Sequence, residues 1–281
     1  MELSVILPAK NEAAAIGRVV GAIRECVPEA ELIVVDDGSS DDTAAIAEQA
    51  GARVLSHPVS LGNGAAVKAG ARAARGDVLV FLDGDGQHDP DDIPKLLRRL
   101  EQGFAMAVGA RSQGSHANAA RLAANGVYNV IASAMTGHRI PDLTSGFRAV
   151  RADLFRKFLY LLPNGFSYPT TITMAFLRAG FPVDFVAIEA AKREGKSHIR
   201  PLRDGFRFLL IIFKIATLYS PLKLFLPTSA FFFATGMSYY AYTYLTQERF
   251  TNMSLLLLSA SVIIFLIGLI SEQITALMFK D

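Results

Sequence analysis

Residues 80–90, VFLDGDGQHDP, join an apolar strand to two aspartates that stand one residue apart. Asp83 and Asp85 can direct carboxylate oxygens toward one hard cation, and Gln87 offers a neutral oxygen further along. A cation held by so few protein oxygens shares its remaining positions with phosphate and water. The alternative interpretation is a polar turn at the end of a strand. The stretch therefore predicts a site for Mg²⁺ or Mn²⁺ with room for a phosphate ligand.

Strands and helices alternate on the N-terminal side of this stretch. Residues 3–7 and 31–35 predict buried strands, and each leads through a polar loop into a helix. This spacing is typical of βαβ units and predicts an α/β fold with a mainly parallel sheet and flanking helices. In such a sheet the functional loops lie at the edge where the carboxyl ends of the parallel strands meet. We therefore expect Asp37, Gly62 and Asp83 along one edge.

Two of these loops carry groups suited to a nucleotide. Asp37 follows a strand, where a carboxylate can accept hydrogen bonds from a base or from ribose hydroxyls. Gly62 and Gly64 open a helix and would admit an anion, although a glycine loop without that role fits equally well. The glycine spacing of dinucleotide folds and the P-loop pattern are both missing. Their absence disfavours a nicotinamide or flavin cofactor and an ordinary nucleotide hydrolase.

The C-terminal part of the chain has the composition of a membrane anchor. Residues 224–245 and 253–271 contain no charged residue, and each stretch is long enough to cross a hydrocarbon core of about 30 Å. We therefore expect two transmembrane helices. The N-terminus leads directly into a short strand, so we expect no signal peptide. The positive-inside rule then predicts an integral membrane protein whose catalytic domain is cytoplasmic.

A basic amphipathic segment precedes the first expected span. Its basic residues recur at spacings that share one side of a helix, with apolar residues between them. They are Arg200, Arg203, Arg207 and Lys214. Such a helix suits the headgroup region of a membrane, although a buried core helix is the alternative. We divide the chain into a catalytic domain at 1–199, a juxtamembrane helix at 200–220 and a two-helix anchor at 221–281.

Seven short motifs, taken in order, resemble those of inverting family 2 glycosyltransferases. They are Leu7-Pro8 with Asn11-Glu12, Val35 with Asp37-Gly38-Ser39, Gly62-Asn63-Gly64, Asp83-Gly84-Asp85 with Gln87-His88, Gly109-Ala110-Arg111, Ser145-Gly146-Phe147-Arg148 and Arg193-Glu194-Gly195-Lys196-Ser197. The resemblance spans roughly residues 3–215. It is strongest to polyprenyl-phosphate glycosyltransferases of the dolichol-phosphate mannose synthase type. It implies a nucleotide-sugar-binding GT-A fold, which is Rossmann-like.

The resemblance also implies roles for individual residues. The positions that line the nucleoside pocket are Pro8, Lys10, Glu12, Val35 and Asp37. The metal and diphosphate positions are Asp83, Gly84, Asp85 and Gln87. The basic positions that grip the donor and acceptor phosphates are Arg111, Arg121 and Arg193, with Lys192 as an alternative to Arg193. A guanidinium suits this task because its planar fork binds phosphate oxygens in pairs, although each arginine has a surface salt bridge as its alternative. Residues 145–148 resemble the segment beside the acceptor site.

Three positions depart from the family pattern. Lys10 stands where an aromatic residue is frequent, which leaves the identity of the base open. Residues 165–171 carry threonines where many relatives have an acidic residue at a helix start. His198 stands where lysine is common, which implies a weaker or pH-dependent phosphate contact, with an ordinary loop histidine as the alternative. These departures bear on the choice of base, sugar and acceptor.

The combined prediction is metal-dependent, inverting transfer of mannose or glucose from GDP-mannose or UDP-glucose to a polyprenyl or dolichyl phosphate. A cation held by Asp83 and Asp85, with the three arginines beside it, would favour charge build-up on the leaving diphosphate. A lipid phosphate, whose second pKa is about 6, needs no general base. An alcohol acceptor would need one, and Asp142 is then a position to test.

Two other functions stay open at this point. One is a membrane-anchored subunit that binds nucleotide sugar without turnover, and the other is transfer to another lipid or glycan hydroxyl. A processive polysaccharide synthase is disfavoured, because its glutamine-arginine-tryptophan signature requires a tryptophan and this chain has none. A net charge of +2 gives no reason to expect nucleic acid. Membrane lipids and a second copy of the chain remain possible partners.

Overall fold

The computed structural model describes residues 2–111, 126, 129–130, 132–165, 167–189, 213, 217 and 220–278. The chain divides into two compact units. The first comprises residues 1–133 and 138–199, and the second comprises residues 134–137 and 200–281. A sheet with flanking helices forms the first unit, and two long helices dominate the second.

Seven strands among the described residues form one sheet in the first unit. They are β1 (Leu3–Ala9), β2 (Glu31–Asp36), β3 (Arg53–Ser56), β4 (Val78–Phe81), β5 (Met106–Arg111), β6 (Arg148–Arg151) and β7 (Val183–Ile188). Their order is β3-β2-β1-β4-β6-β5-β7. Strand β6 runs antiparallel to both of its neighbours, whereas the other pairs are parallel. The expected mainly parallel sheet is confirmed.

Helices cover both faces of this sheet. The helices are α1 (Ala13–Cys26), α2 (Thr43–Gln49), α3 (Asn63–Ala73), α4 (Ile93–Glu101), α5 (Ala152–Lys157) and α6 (Tyr168–Arg178). Successive side chains of a strand point to opposite faces. Val5 and Leu7 of β1 therefore share a core with α1 and α4, while Phe81 of β4 packs on the other face against Phe155 of α5 and Tyr168 of α6.

Small residues line the contact between the two helices of the second unit, α7 (Pro221–Gln247) and α8 (Asn252–Met278). Apart from Pro221 at the start of α7, the buried positions recur every seven residues and are Ser229, Gly236 and Thr243 in α7 and Ser254, Ser261, Gly268 and Thr275 in α8. Ser229 Oγ donates a hydrogen bond to Ser261 O at 2.9 Å. Small side chains allow close backbone approach, as in membrane helix pairs. Most large apolar side chains point outward and are exposed.

In the described part of the chain, one of the two expected spans is long and apolar enough to cross a membrane. This span is α8. Helix α7 has the expected length and its residues 224–245 are uncharged, but Pro227 and four tyrosines make it less apolar. The juxtamembrane helix expected at 200–220 lies mostly outside the described residues, including all four of its basic residues.

Glu272 accepts hydrogen bonds at the start of α7. Its Oε2 accepts hydrogen bonds from Leu222 N at 3.1 Å and from Ser220 Oγ at 3.4 Å. The first N–H groups of a helix have no partner within the helix, so a carboxylate from a neighbouring helix can cap them. Glu272 therefore joins the end of α8 to the start of α7.

Substitution of Gly268 by leucine should separate α7 from α8. A Cβ at this position would lie 2.7 Å from Phe225 Cβ, so the helices must move apart. We expect the thermal unfolding midpoint of the full-length protein in detergent to fall by about 5 °C. Ser259→Leu adds the same side chain at an exposed position of α8 and should leave the midpoint unchanged. Equal losses in both variants would contradict the close packing at Gly268.

Candidate active site at the carboxyl edge of the sheet

Hydrogen bonds tie the loop after β1 to the loop after β2. Asn11 Oδ1 accepts from Ser40 N at 2.8 Å, and Asn11 N donates to Ser39 Oγ at 2.9 Å. Glu12 N donates to Thr43 Oγ1 at 2.9 Å. Asparagine tolerates the left-handed backbone, with φ of 56°, that this arrangement requires. The two loops that carry the predicted nucleoside residues therefore form one connected structure.

The predicted nucleoside residues differ in their exposure. Lys10 is exposed, and Pro8 and Glu12 are half-buried beside it. Val35 is completely buried in β2, between β1 and β3. Asp37 is also buried, directly after the same strand.

The carboxylate of Asp37 is surrounded by protein donors. Its Oδ1 lies 2.8 Å from both Leu61 N and His57 Nδ1, and its Oδ2 accepts from Ser60 Oγ at 2.7 Å and Gly62 N at 2.9 Å. Burial raises the pKa of Asp37, but these hydrogen bonds outweigh it and lower the pKa to about 2. Asp37 thus organises the loop between β3 and α3, and a nucleoside would have to share oxygens that already accept bonds.

The protein itself fills the space at the start of α3. Gly62 has φ of 104°, and a Cβ there would lie 2.5 Å from Asn164 O. Ala65 N donates to Asn164 O at 3.0 Å, and Lys68 Nζ donates to Leu162 O at 3.1 Å and to Asn164 Oδ1. Of the two interpretations of the glycine loop, the structure supports close packing of a second loop rather than anion binding.

The Asp83-Gly84-Asp85 turn lies between two other segments of the first unit. A Cβ on Gly84 would lie 3.5 Å from Pro8 O, at the end of β1. A Cβ on Gly146 would lie 3.0 Å from Asp83 Oδ2. The turn is therefore in contact with the predicted nucleoside loop on one side and with the predicted acceptor segment on the other.

The residues of this turn fit a hard divalent cation. Asp83 and Asp85 supply carboxylates and Gln87 an amide, and oxygens are the ligands that Mg²⁺ and Mn²⁺ prefer. Asp85 Oδ1 accepts from Gln87 N at 3.1 Å, which fixes the shape of the turn. No group of three or more His, Cys, Asp or Glu suited to a metal occurs among the described residues. Two carboxylates leave coordination positions that a diphosphate would fill.

Arg111 is held in a two-pronged ion pair. Its Nε donates to Asp142 Oδ2 at 2.7 Å, and its Nη2 donates to Asp142 Oδ1 at 3.1 Å and to Thr144 Oγ1 at 2.8 Å. Burial raises the pKa of Asp142, but Arg111 outweighs this effect and lowers it. A carboxylate with both oxygens engaged and a lowered pKa is a poor general base. The geometry instead makes Asp142 the residue that orients Arg111.

His88 lies next to the predicted metal ligand Gln87, and the sequence alone assigns it no role. It is buried, and its ring centroid lies 5.3 Å from that of Phe147. Burial and the charge of Arg111 lower the pKa of His88 to about 4, so the ring is neutral at pH 7. Its Nδ1 has no hydrogen-bond partner among the described residues. Nothing in the local sequence distinguishes a buried histidine here from an exposed one.

The loop that faces Asp83 is held from behind. Arg148 Nη2 donates to Ser145 O, and Tyr168 OH donates to Gly146 O at 3.2 Å. Ser145 Oγ is buried and has no hydrogen-bond partner in the described part of the chain. Arg148 is completely buried, so it does not reach a ligand directly. The loop has a fixed shape with one hydroxyl left unsatisfied.

Two of the three predicted phosphate-binding arginines, Arg121 and Arg193, lie outside the described residues, as do Lys192 and His198. Their roles remain predictions. Arg111 is the member of this set that the structure describes, and it lies at the expected edge.

Comparison with known proteins gives two matches to families. Residues 4–159 match the family described as Glycosyl transferase family 2, and residues 220–277 match the GtrB C-terminal hairpin. A polyprenol monophosphomannose synthase from Mycolicibacterium smegmatis is 31% identical over 205 residues, which cover 68% of this chain and 77% of that protein. An undecaprenyl-phosphate mannosyltransferase from Micrococcus luteus is 31% identical over 208 residues, which cover 69% and 85%.

A solved structure resembles the chain as well. It is glucosyl-3-phosphoglycerate synthase from Mycobacterium tuberculosis in complex with Mn²⁺, UDP and glucosyl-3-phosphoglycerate. The two structures superpose with a TM-score of 0.61 at 27% identity, over 76% of this chain and 78% of the other. This similarity supports the GT-A type of fold expected from the motifs.

Substitution of Asp37 by asparagine should destabilise the protein more at pH 7 than near pH 3. A carboxylate with a folded pKa of about 2 and an unfolded pKa of about 3.9 stabilises the fold above the unfolded value. That contribution is lost as the pH falls through the folded pKa. We expect the thermal midpoint to fall by about 3–6 °C at pH 7 and by less at pH 3. The exposed Asp42→Asn serves as the control, and a pH-independent loss in Asp37→Asn would contradict the prediction.

Proposed function

The chain belongs to glycosyltransferase family 2, and from this membership we propose that it transfers mannose or glucose from a nucleotide-diphosphate sugar to a polyprenyl phosphate. The observation that carries the proposal is the position of the Asp83-Gly84-Asp85 turn. This turn contacts the end of β1 on one side and Gly146 on the other. A donor held by the first segment would thus have its diphosphate at the aspartates and its sugar next to the second.

The similar proteins support both substrates in this proposal. The two relatives are named for mannose transfer or synthesis and for polyprenol or undecaprenyl phosphate. The solved structure holds Mn²⁺ and UDP. Because these proteins differ in sugar, GDP-mannose and UDP-glucose remain the two donors to test. The match of residues 220–277 to the GtrB C-terminal hairpin favours an acceptor at a membrane.

The chemistry proposed for the donor rests on charge stabilisation. A divalent cation held by Asp83, Asp85 and Gln87 would supply positive charge to the leaving diphosphate. Arg111, held by Asp142, has no hydrogen-bond partner on its Nη1 among the described residues, so this nitrogen can donate to a phosphate oxygen. Such donors favour the transition state because negative charge builds up there.

The chemistry proposed for the acceptor needs no protein base. An anionic phosphate oxygen attacks the anomeric carbon from the face opposite the diphosphate, and the bond to the diphosphate breaks as the new bond forms. Since the acceptor oxygen already carries negative charge at neutral pH, no proton has to be removed from it. The engagement of both Asp142 oxygens by Arg111 and Thr144 fits this scheme better than an alcohol acceptor.

We also propose that α7 and α8 anchor the enzyme in a membrane, with the first unit on the cytosolic side. The outward apolar side chains of both helices support the anchor. The orientation follows from the positive-inside rule, since the loop between the helices carries one acidic and one basic residue.

Transfer of radiolabelled sugar from GDP-mannose or UDP-glucose into extractable polyprenyl phosphate tests the function. We expect label in the lipid with Mn²⁺ and none with a chelator. Asp85→Ala should lose activity by about a hundredfold or more, because it removes charge stabilisation of the leaving group. Asp91→Asn, an exposed carboxylate six residues further along the chain, is the matched control and should retain activity.

The outcomes separate the alternatives. Nucleotide binding without transfer to the lipid from either donor would favour the binding-subunit alternative. Transfer to phosphoglyceric acid in place of the lipid would show that the acceptor proposal is wrong. Full activity with chelator present would contradict the metal requirement.

Substitution of Ser145 by alanine tests the acceptor side. Because Ser145 Oγ is buried without a partner, its removal costs the fold no hydrogen bond and should leave the thermal midpoint unchanged or higher. If the hydroxyl binds the acceptor phosphate, the KM for polyprenyl phosphate rises about fivefold to tenfold, while the KM for the donor stays the same. Ser56→Ala, at an exposed position of β3, is the control. An unchanged acceptor KM would remove Ser145 from the site.

A further inference from the structure

Arg148 is a completely buried cation. In the described part of the chain no carboxylate lies within 4.0 Å of its nitrogens. Its Nη1 donates to Pro169 O at 3.1 Å and to Thr173 Oγ1 at 3.2 Å, its Nη2 donates to Ser145 O, and its Nε has no partner there. All of these partners are neutral. A buried charge without a counter-charge is costly, so a charge retained here calls for a role beyond packing.

The position of Arg148 is directly behind the candidate metal site. On β6 it pairs with Phe81 of β4, two residues before Asp83. Gly146 links the two regions, because a Cβ on Gly146 would lie 3.0 Å from Asp83 Oδ2 and the Gly146 carbonyl accepts from Tyr168 OH. The ring of Tyr168 lies 5.6 Å from Arg148 Cζ. The guanidinium therefore acts on Asp83 through the protein interior, where charges are screened less than in water.

Three nearby groups interact with the charge of Arg148. Burial lowers the pKa of Arg148, while Tyr168, Asp142 and Asp83 oppose that effect. A guanidinium nevertheless stays protonated in proteins. Asp142 forms an ion pair with Arg111. Asp83, the other carboxylate that interacts with Arg148, is a predicted metal ligand.

We propose that Arg148 is a positioning residue whose buried charge sets the ligand preference of the metal and diphosphate site. Its positive charge weakens the capture of a divalent cation by Asp83 and Asp85 alone, and it strengthens the capture of an anionic diphosphate. The cation and the nucleotide are then bound best together. This inference rests on the proposed function, because it assumes that the aspartate turn holds a metal and a diphosphate.

A purely structural role for Arg148 predicts a different result. Loss of its hydrogen bonds to Ser145 O and Pro169 O would loosen the loop beside Asp83 and weaken both ligands together. Loss of its charge changes the two affinities in opposite directions, because the metal is a cation and the nucleotide an anion. The direction of the two changes therefore separates the roles.

The test uses full-length protein in detergent and three variants. Arg148→Gln removes the charge and keeps an amide donor, Arg148→Lys keeps the charge, and Tyr168→Phe removes the hydrogen bond to Gly146 O without changing any charge. Binding of Mn²⁺ alone is followed by the electron paramagnetic resonance of free Mn²⁺. Binding of UDP and GDP with chelator present is followed by calorimetry. Both measurements are independent of turnover.

We expect Arg148→Gln to bind Mn²⁺ about threefold more tightly and the metal-free nucleotide about threefold more weakly, with larger effects at low salt. Arg148→Lys should stay within about twofold of the wild type for both ligands. Tyr168→Phe should change both affinities in the same direction or leave both unchanged.

The following outcomes would overturn the role of Arg148, the proposed function or both. A wild-type protein that binds neither Mn²⁺ nor nucleotide would overturn the proposed function and this inference with it. Wild-type binding of both ligands, with unchanged or weaker Mn²⁺ binding in Arg148→Gln, would overturn the role of Arg148 alone. If Arg148→Gln does not fold, Arg148→Met replaces it. If neither neutral variant folds but Arg148→Lys does, the charge of Arg148 is needed for folding. That result would also overturn the inference.

Discussion

The antiparallel direction of β6 is the constraint on which the candidate site depends. Strands β4 and β5 are parallel to each other, and β6 runs the opposite way between them. The loop that enters β6 therefore lies at the same edge of the sheet as the loop that leaves β4. This reversal places Gly146 against Asp83. A parallel strand in the same position would deliver the loop before β6 to the far edge and leave the aspartates without their neighbour.

The charged residues at this edge fall into two groups according to their partners. Asp37 and Asp142 are engaged by protein donors, which lower the pKa of each carboxyl and give both residues a scaffolding role. Among the described residues the guanidinium of Arg111 has partners on Nε and Nη2 only, which leaves donor capacity on Nη1. Arg148 is buried behind the site and acts on it through charge rather than contact. The arrangement leaves the aspartate turn as the place where a cation and an anion would meet.

The helices of the second unit pack in a different way from the sheet and helices of the first unit. Its two helices pack through small residues at seven-residue intervals, and their large apolar side chains point outward. In water this arrangement would be unfavourable, because it exposes the surface that the hydrophobic effect normally buries. In a bilayer, helix pairs rely on close backbone contact instead. The proposed membrane anchor would therefore account for both the apolar composition of these helices and their packing through small residues.

The sequence by itself determined the features that depend on neighbouring residues. Alternating apolar patterns predicted the parallel strands and their helices, the spacing of Asp83 and Asp85 predicted an oxygen-rich turn, and uncharged stretches predicted the two long helices. Only the tertiary structure decided which distant segments meet. The partner of Gly62 is Asn164, the partners of Asp37 are 20 to 25 residues away, and Arg148 is buried behind Asp83. Local periodicity carries no information about such pairings, because the direction and order of the strands fix them.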